Sequence, residues 1–209
     1  MRELIIVGAG GHGLETLWLA KRCGRTIKGF LDDTLEKQGK FFYGYPILGK
    51  IAERDTHMNC DFIIAIGSSK LRRAIIKKYF DSKEYNFTVL IDPSVIVGDN
   101  VKIGSGTMIC AKSIITVAVS VGDHCIININ SSLSHGVNLL DYVTLAPGVT
   151  LLGDVMIREE CEIGAKAVVR EKLIVNDGAI VGMGAVVTKN VEEKQVVVGN
   201  PAKLLKIIN

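Results

Sequence analysis

Read six residues at a time from Ile91, the chain gives Ile91, Val97, Ile103, Ile109, Ile115, Val121, Ile127, Leu133, Leu139, Leu145, Leu151, Ile157, Ile163, Val169, Val175, Val181 and Val187. In a stretch where roughly a third of residues are Ile, Leu or Val, such a run has a chance probability on the order of one in ten million or less. A period of six suits neither a helix face near 3.6 nor two-residue alternation. It predicts short strands joined by regular corners, as in a parallel β-helix. Four places after the aliphatic the residues are mostly small, among them Thr107, Ser113, Cys125, Ser131, Ala167, Ala179 and Ala185. The large side chain is expected to fill a narrow prism while the small one fits its corner. Glycine directly follows the aliphatic at Gly98, Gly104, Gly122, Gly164 and Gly182, where a tight turn or positive φ is expected.

Ahead of the repeat the pattern changes. Apolar runs predict strands over 3–7, 26–31 and 61–66, with 87–90 as a fourth, and helices over 14–22 and 69–80. This is βαβ order, a parallel sheet covered by helices. The period switches near 90–93 and breaks at 192–195. The expected organisation is therefore a small α/β Rossmann-like domain over 1–90, a coil stack over 91–195 and a tail over 196–209.

Gly8, Gly10 and Gly13 form G-x-G-x-x-G between the first strand and helix, and Asp32 and Asp33 end the second strand. Such a loop aims backbone N–H groups at phosphate while a carboxylate takes a ribose hydroxyl. The alternative is that the glycines only allow close helix–strand packing. Parallel strand ends converge on one edge, so Gly10, Asp32 and Gly67 are expected to line one crevice, with His12 in the loop and Arg72 one helical turn beyond Gly67. About ninety residues make one mononucleotide-binding half, which argues against NAD and for a single nucleotide carrying a diphosphate.

Composition narrows the classes further. A net charge of +3 over 209 residues gives no footprint for nucleic acid, and the densest basic cluster, Arg72, Arg73, Lys77 and Lys78, has the spacing of a solvated helix face. Five cysteines without a CxxC pair fit a reducing cytosol, and no apolar run is long enough for a membrane span, so a cytoplasmic protein is expected. Four histidines are present, and His135 interrupts a polar run containing Asn128, Asn130, Ser131, Ser132 and Ser134. Polar groups against an aliphatic column are costly unless paired, so the cluster suggests a site. The plainer reading is an outward corner histidine.

The order of these features is specific. The glycine loop, Phe30-Leu31-Asp32-Asp33, Ile64-Ala65-Ile66-Gly67, hexapeptides with Asn128, Ser131 and His135, and the terminal Val198-Gly199-Asn200-Pro201-Ala202-Lys203 follow one another along nearly the whole chain. Together they resemble the hexapeptide-repeat sugar O-acyltransferase family of sialic-acid O-acetyltransferases and bacterial nucleotide-activated 4-amino-sugar N-acetyltransferases. The resemblance implies a left-handed parallel β-helix, a nucleotide sugar on the amino-terminal domain, and acetyl-CoA between subunits of a homotrimer. It implies His135 as general base, a role that imidazole suits. It also implies Asn128 in the acceptor site, the Gly153 N–H facing the thioester oxygen, and Thr144 near the thioester where some members place a histidine. Ala165 and Met183 would track the pantetheine arm, and Lys189 and Lys203 would meet the CoA phosphates. One departure stands out. Members usually carry a carboxylate directly after the catalytic histidine, and here that place is Gly136, with Asp141, Asn130 or Ser134 as candidate substitutes.

The favoured expectation is an acetyl-CoA-dependent N-acetyltransferase acting directly on a nucleotide-linked 4-amino sugar, with uracil or thymine as the base. O-acetylation of sialic acid or a related hydroxyl is the first alternative. A non-catalytic nucleotide-sugar-binding homologue, prompted by Gly136, is the second. A zinc hydratase on the same solenoid needs three histidines, and the repeats hold His124 and His135.

Overall fold

Four buried residues, Leu4–Val7, form strand β1, and the chain then turns through the glycine loop into helix α1 (Gly11–Arg22) and strand β2 (Ile27–Leu31). The computed structural model describes residues 2–81 and 84–208. Strands β3 (Phe41–Phe42), β4 (Tyr45–Gly49), β5 (Asp61–Ile64) and β6 (Asn86–Phe87) complete a sheet of order β3-β4-β2-β1-β5-β6, with helix α2 (Ser69–Tyr79) between β5 and β6. All neighbours are parallel except β3 and β4, as right-handed βαβ logic requires of strands buried on both faces. The hairpin was not expected from sequence. Its turn is Tyr43-Gly44, both at positive φ, and the Gly and Pro between the aromatics hide the strand period. The expected strand over 87–90 resolves into two pieces: β6, and the rung Leu90–Ile91 that begins the coils.

From there the chain is a left-handed parallel β-helix of three faces. Two-residue rungs pair in parallel with the rung eighteen residues on, as in Met108↔Ile126, Ser132↔Thr150 and Asn138↔Met156. The counted aliphatics are buried from Ile109 to Val187, and the small residues fill the corners between them. At the first coil, with no coil above it, Val97 is 43% exposed. The tail closes the other end. Gln195–Val198 adds in parallel to Ile180–Val181 and pairs antiparallel with Lys203–Ile207.

Positive φ falls elsewhere than expected. It occurs three places after the aliphatic, at Gly106, Gly136, Gly148, Gly178 and Gly184 and at non-glycines including Lys112, His124, Asn130 and Asp154. The glycines directly after the aliphatic serve close approach instead. A Cβ on Gly104 would lie 2.4 Å from Asp123 Oδ1, and one on Gly122 2.4 Å from Asp141 Oδ1.

The sheet domain and the coils share a core. Leu90, Met108 and Ile126 point outward from one coil face, and that part of the face is buried against Leu17 and Ala20 of α1. Arg22 forks onto Asp92, with Nη2 at 2.9 Å from Oδ1. Deeper in the junction lies Arg72, fully buried. Its Nε donates to His124 O at 2.7 Å, Nη1 to Ile66 O and Gly67 O, and Nη2 to Tyr142 O and Thr144 Oγ1. All five N–H donors of a guanidinium are therefore engaged within the chain. Burial lowers its pKa to about 10, so it remains cationic at neutral pH.

Replacing Arg72 with Met should lower unfolding stability by about 3–5 kcal/mol, because several buried carbonyls lose their donor together. Lys should not rescue it, since one ammonium cannot span the set. An unchanged urea midpoint for either variant would remove this clamp from the account of the junction.

Candidate functional site

In-register pairing of Val7 with Leu31 and Ile64 brings the loops after β1, β2 and β5 to one edge. There the Ala9 N–H donates to Asp32 Oδ2 at 2.7 Å, and the Thr34 N–H donates to Oδ1 at 2.9 Å. Lys37 Nζ bridges Asp32 Oδ2 at 3.1 Å and the Ala9 carbonyl at 3.0 Å. Burial alone would raise the Asp32 carboxyl. The hydrogen bonds from Thr34, the Ala9 N–H and Lys37 outweigh it and hold the group below the usual carboxylate range. Asp33 serves the scaffold: Oδ1 accepts the Ile51 N–H at 2.9 Å and Oδ2 the Tyr79 hydroxyl at 3.1 Å.

The three loop glycines differ in what they do. A Cβ on Gly13 would fall 2.2 Å from the Gly8 carbonyl oxygen, and Gly8 has φ +104° with Ile66 and Ala65 against it. Gly10, at the N-cap of α1, faces open space. Packing therefore demands Gly8 and Gly13, and the opening lies at Gly10. His12 sits in the first turn of α1, with Nδ1 3.3 Å from Glu15 Oε2 and Nε2 buried without a partner among the described residues. Burial lowers its pKa most, Arg72 adds to this, and Glu15 opposes it.

Two residues expected to face ligands are used elsewhere. Arg72 is enclosed at the domain junction and does not reach into the crevice. The Thr144 hydroxyl donates to Gly67 O at 2.9 Å and accepts from Arg72, so its single proton is already committed. Gly67 itself stays exposed, its carbonyl tied to the coils.

On the coils, Asn128 is half-buried, and its side-chain oxygen accepts the Ile129 N–H at 2.8 Å. His135 projects outward with its side chain 66% exposed. One coil on is Gly153, buried directly beneath the ring: a Cβ there would lie 2.4 Å from His135 Cε1 and 2.5 Å from Nε2. Asp154 Oδ1 is 3.8 Å from His135 Nδ1. Asp154 is not among the substitutes read from sequence, Asp141, Asn130 and Ser134. The signal was a spacing of eighteen, which puts 154 in the same corner as 136.

Ala165 and Met183 stack eighteen residues apart in another corner, joined by Gly184 N–H to Ala165 O at 2.8 Å, with Met183 82% exposed. Lys189 and Lys203 meet in one hollow of about 290 Å³ at the far end, with Thr188, Asn190 and Gln195. A larger cavity of about 490 Å³ opens between the first turn of α2 and the lower coils, lined in part by Ser69, Arg73, Glu160, Glu162, Asp177 and Lys194. None of the residues expected to form the site lines it. The thiols of Cys110, Cys125 and Cys161 are pushed up to about 12 by burial, which withdraws them as nucleophiles.

Comparison with known proteins identifies the family. Residues 3–79 match the family model of the PglD N-terminal domain. The chain is 33% identical over 155 residues to GDP-perosamine N-acetyltransferase of Escherichia coli, covering 71% of this chain and 69% of that one. It is also 33% identical over 114 residues to UDP-N-acetylbacillosamine N-acetyltransferase of Bacillus subtilis, covering 53% and 52%. Among solved structures, a perosamine N-acetyltransferase variant from Caulobacter crescentus in complex with CoA and GDP-perosamine superposes with a TM-score of 0.90 at 26% identity, covering 98% and 97%. The acetyltransferase domain of PglB from Neisseria gonorrhoeae in complex with acetyl coenzyme A gives 0.89 at 30%, covering 98% and 99%.

Substitution separates packing from opening in the loop. Gly13→Ala should lower the melting temperature clearly, whereas Gly10→Ala should leave it within a degree or two of wild type. Equal melting temperatures for the two variants would contradict the assignment.

Proposed function

Because the chain belongs to the hexapeptide-repeat sugar acyltransferase family, as an acetyl-CoA-dependent sugar N-acetyltransferase, we propose that it acetylates the 4-amino group of a nucleotide-linked sugar with His135 as general base. The observation that carries this reading is the exposed imidazole seated on the bare backbone of Gly153, on a coil stack locked to a nucleotide-type crevice.

The nucleotide diphosphate meets the open N-terminal turn of α1 at Gly10, where backbone N–H groups and the helix dipole favour anions. Asp32 has three oxygen sites occupied by the loop and retains capacity for a ribose hydroxyl. His12, poorly solvated and kept neutral by its surroundings, turns Nδ1–H to Glu15 and so offers the Nε2 lone pair to a sugar hydroxyl. Asn128 contacts the sugar. Guanine joins uracil and thymine as a candidate base, since the relatives act on GDP- and UDP-linked sugars by name.

Chemistry then follows from a neutral amine attacking the thioester carbonyl carbon. His135 takes the amine proton as the C–N bond forms, and the oxygen becomes an oxyanion. The Gly153 N–H, which has no hydrogen-bond partner among the described residues, stabilises that charge. Collapse breaks the C–S bond, and the proton passes from imidazolium to the departing CoA sulfur. No acyl-enzyme is needed. The pantetheine arm runs along the corner of Ala165 and Met183, and Lys189 and Lys203 receive the CoA phosphates in their shared hollow.

A single chain leaves this imidazole uncovered, which supports a homotrimer whose neighbouring coil walls the site. The exposed Ile96, Ile114 and Val117 on the coils above His135 supply apolar surface for that contact. No helix among the described residues is long and apolar enough to cross a membrane. Nucleotide-activated substrates and five cysteines without a disulfide among the described residues support a cytoplasmic reaction.

The test is thiol release from acetyl-CoA with a panel of GDP-, UDP- and dTDP-linked 4-amino sugars. At least one should support turnover, and His135→Ala should reduce kcat by about 10²- to 10⁴-fold without unfolding the protein. Turnover unaffected by that substitution would dismiss the base, and silence across the whole panel would dismiss the substrate class.

A further inference from the structure

The place directly after His135, where a carboxylate was expected, is Gly136, and a carboxylate nevertheless stands beside the ring. We propose that Asp154, from the next coil, is the positioning residue for His135 and that glycine at 136 is the condition for it. The inference rests on the reading of His135 as base.

Three observations converge on it. Asp154 Oδ1 lies 3.8 Å from Nδ1, and both side chains face the same open side, 52% and 66% exposed. A Cβ on Gly136 would fall 2.2 Å from that same oxygen, so any side chain at 136 would evict the carboxylate. A side chain at 136 and the present placement of the Asp154 carboxylate exclude each other. Asp154 stands three places after its aliphatic, whereas Asp123, Asp141 and Asp177 stand two places after theirs, and the two places use their carboxylates differently. Asp123 Oδ1 accepts the Ser105 N–H at 2.7 Å, Asp141 Oδ1 the Asp123 N–H at 2.8 Å, and Asp177 Oδ1 the Glu159 N–H at 3.1 Å. Asp154 accepts no hydrogen bond among the described residues. The Gly136 N–H goes to Val117 O, as the N–H at that place does in other coils, such as His124 to Ser105 O and Gly148 to Ile129 O, so it makes no claim on the carboxylate, which is left to the imidazole.

The chemistry is direct. Rotation of the two exposed side chains closes the remaining ångström, and catalytic hydrogen bonds are commonly longer before substrate binds. Nδ1–H then donates to Oδ1, which fixes the tautomer with the Nε2 lone pair outward, toward the acceptor amine. The same carboxylate stabilises the imidazolium that forms on proton transfer. Asp154 touches no reacting atom and acts through the ring.

The experiment reads the tautomer of His135 by long-range ¹H–¹⁵N NMR on the full chain at pH 8, with the ring assigned by its absence in His135→Gln. Asp154→Gly suits the variant, because Asp154 sits at φ +58°, which glycine adopts freely. Wild type should show the Nδ1–H form. Asp154→Gly should lose that preference and lower kcat at least about tenfold, with KM for acetyl-CoA within about twofold and an unchanged melting temperature. Adding Gly136→Asp to that variant should restore both readings, and Gly136→Asp alone should impair them. An identical tautomer in wild type and Asp154→Gly overturns the proposal outright. Full turnover by His135→Gln, with the tautomer still switching on Asp154→Gly, would instead overturn the base reading and leave the pairing intact.

Discussion

Eighteen residues make one coil, and successive coils lie about 4.8 Å apart, the ordinary spacing of hydrogen-bonded strands. Each corner residue is thus pressed against the residue eighteen places on. This constraint determines which corners can carry side chains at all. His135 can lie flat only because Gly153 has none, and Gly136 stays bare beneath the reach of Asp154. Gly104 and Gly122 are likewise bare against the backbone eighteen places on, at Gly122 and Leu140, and against the aspartate that follows it, whose carboxylate binds backbone. One geometric rule leaves glycine bare at each of these corners.

A second dependence joins the two halves of the molecule. Arg72 is buried without a carboxylate partner among the described residues, and oxygens from β5's following loop and from two coils supply its hydrogen bonds. A charge removed from water at such cost is retained only where its geometry is fully satisfied. The effect is that Gly67, at the mouth of the crevice, cannot move independently of Thr144 on the coil face. A ligand held by the sheet domain is therefore held at a definite height on the coil stack. Positioning of this kind is what a transfer between two bound substrates needs.

Much of the fold was legible because the relevant signals are local. The six-residue count is a repeated one-dimensional pattern, and the strand–glycine loop–helix order needs only neighbouring residues to be read. Legibility failed where glycine and proline interrupt a short strand, as at Phe41–Gly49, and where two short strands abut, as at Phe87 and Leu90. It also failed over φ: the glycines after the aliphatics looked like left-handed positions, yet steric approach of the next coil explains them and the left-handed residues lie two places further.

For the site, sequence by itself determined residue types and their order: a glycine loop, paired aspartates, one histidine in a polar run, and a glycine where a carboxylate was expected. Only the tertiary structure decided which of them are free to act. Arg72 and Thr144 have the right chemistry, but their donors are consumed at the domain junction, which no linear spacing records. Asp154 lies nineteen positions from His135 and comes beside it only after the chain has completed a full coil. The physical reason is the same in each case: a hydrogen-bonding group can be read from sequence, but whether its partner is solvent, ligand or its own backbone depends on contacts that exist only once the coils are stacked.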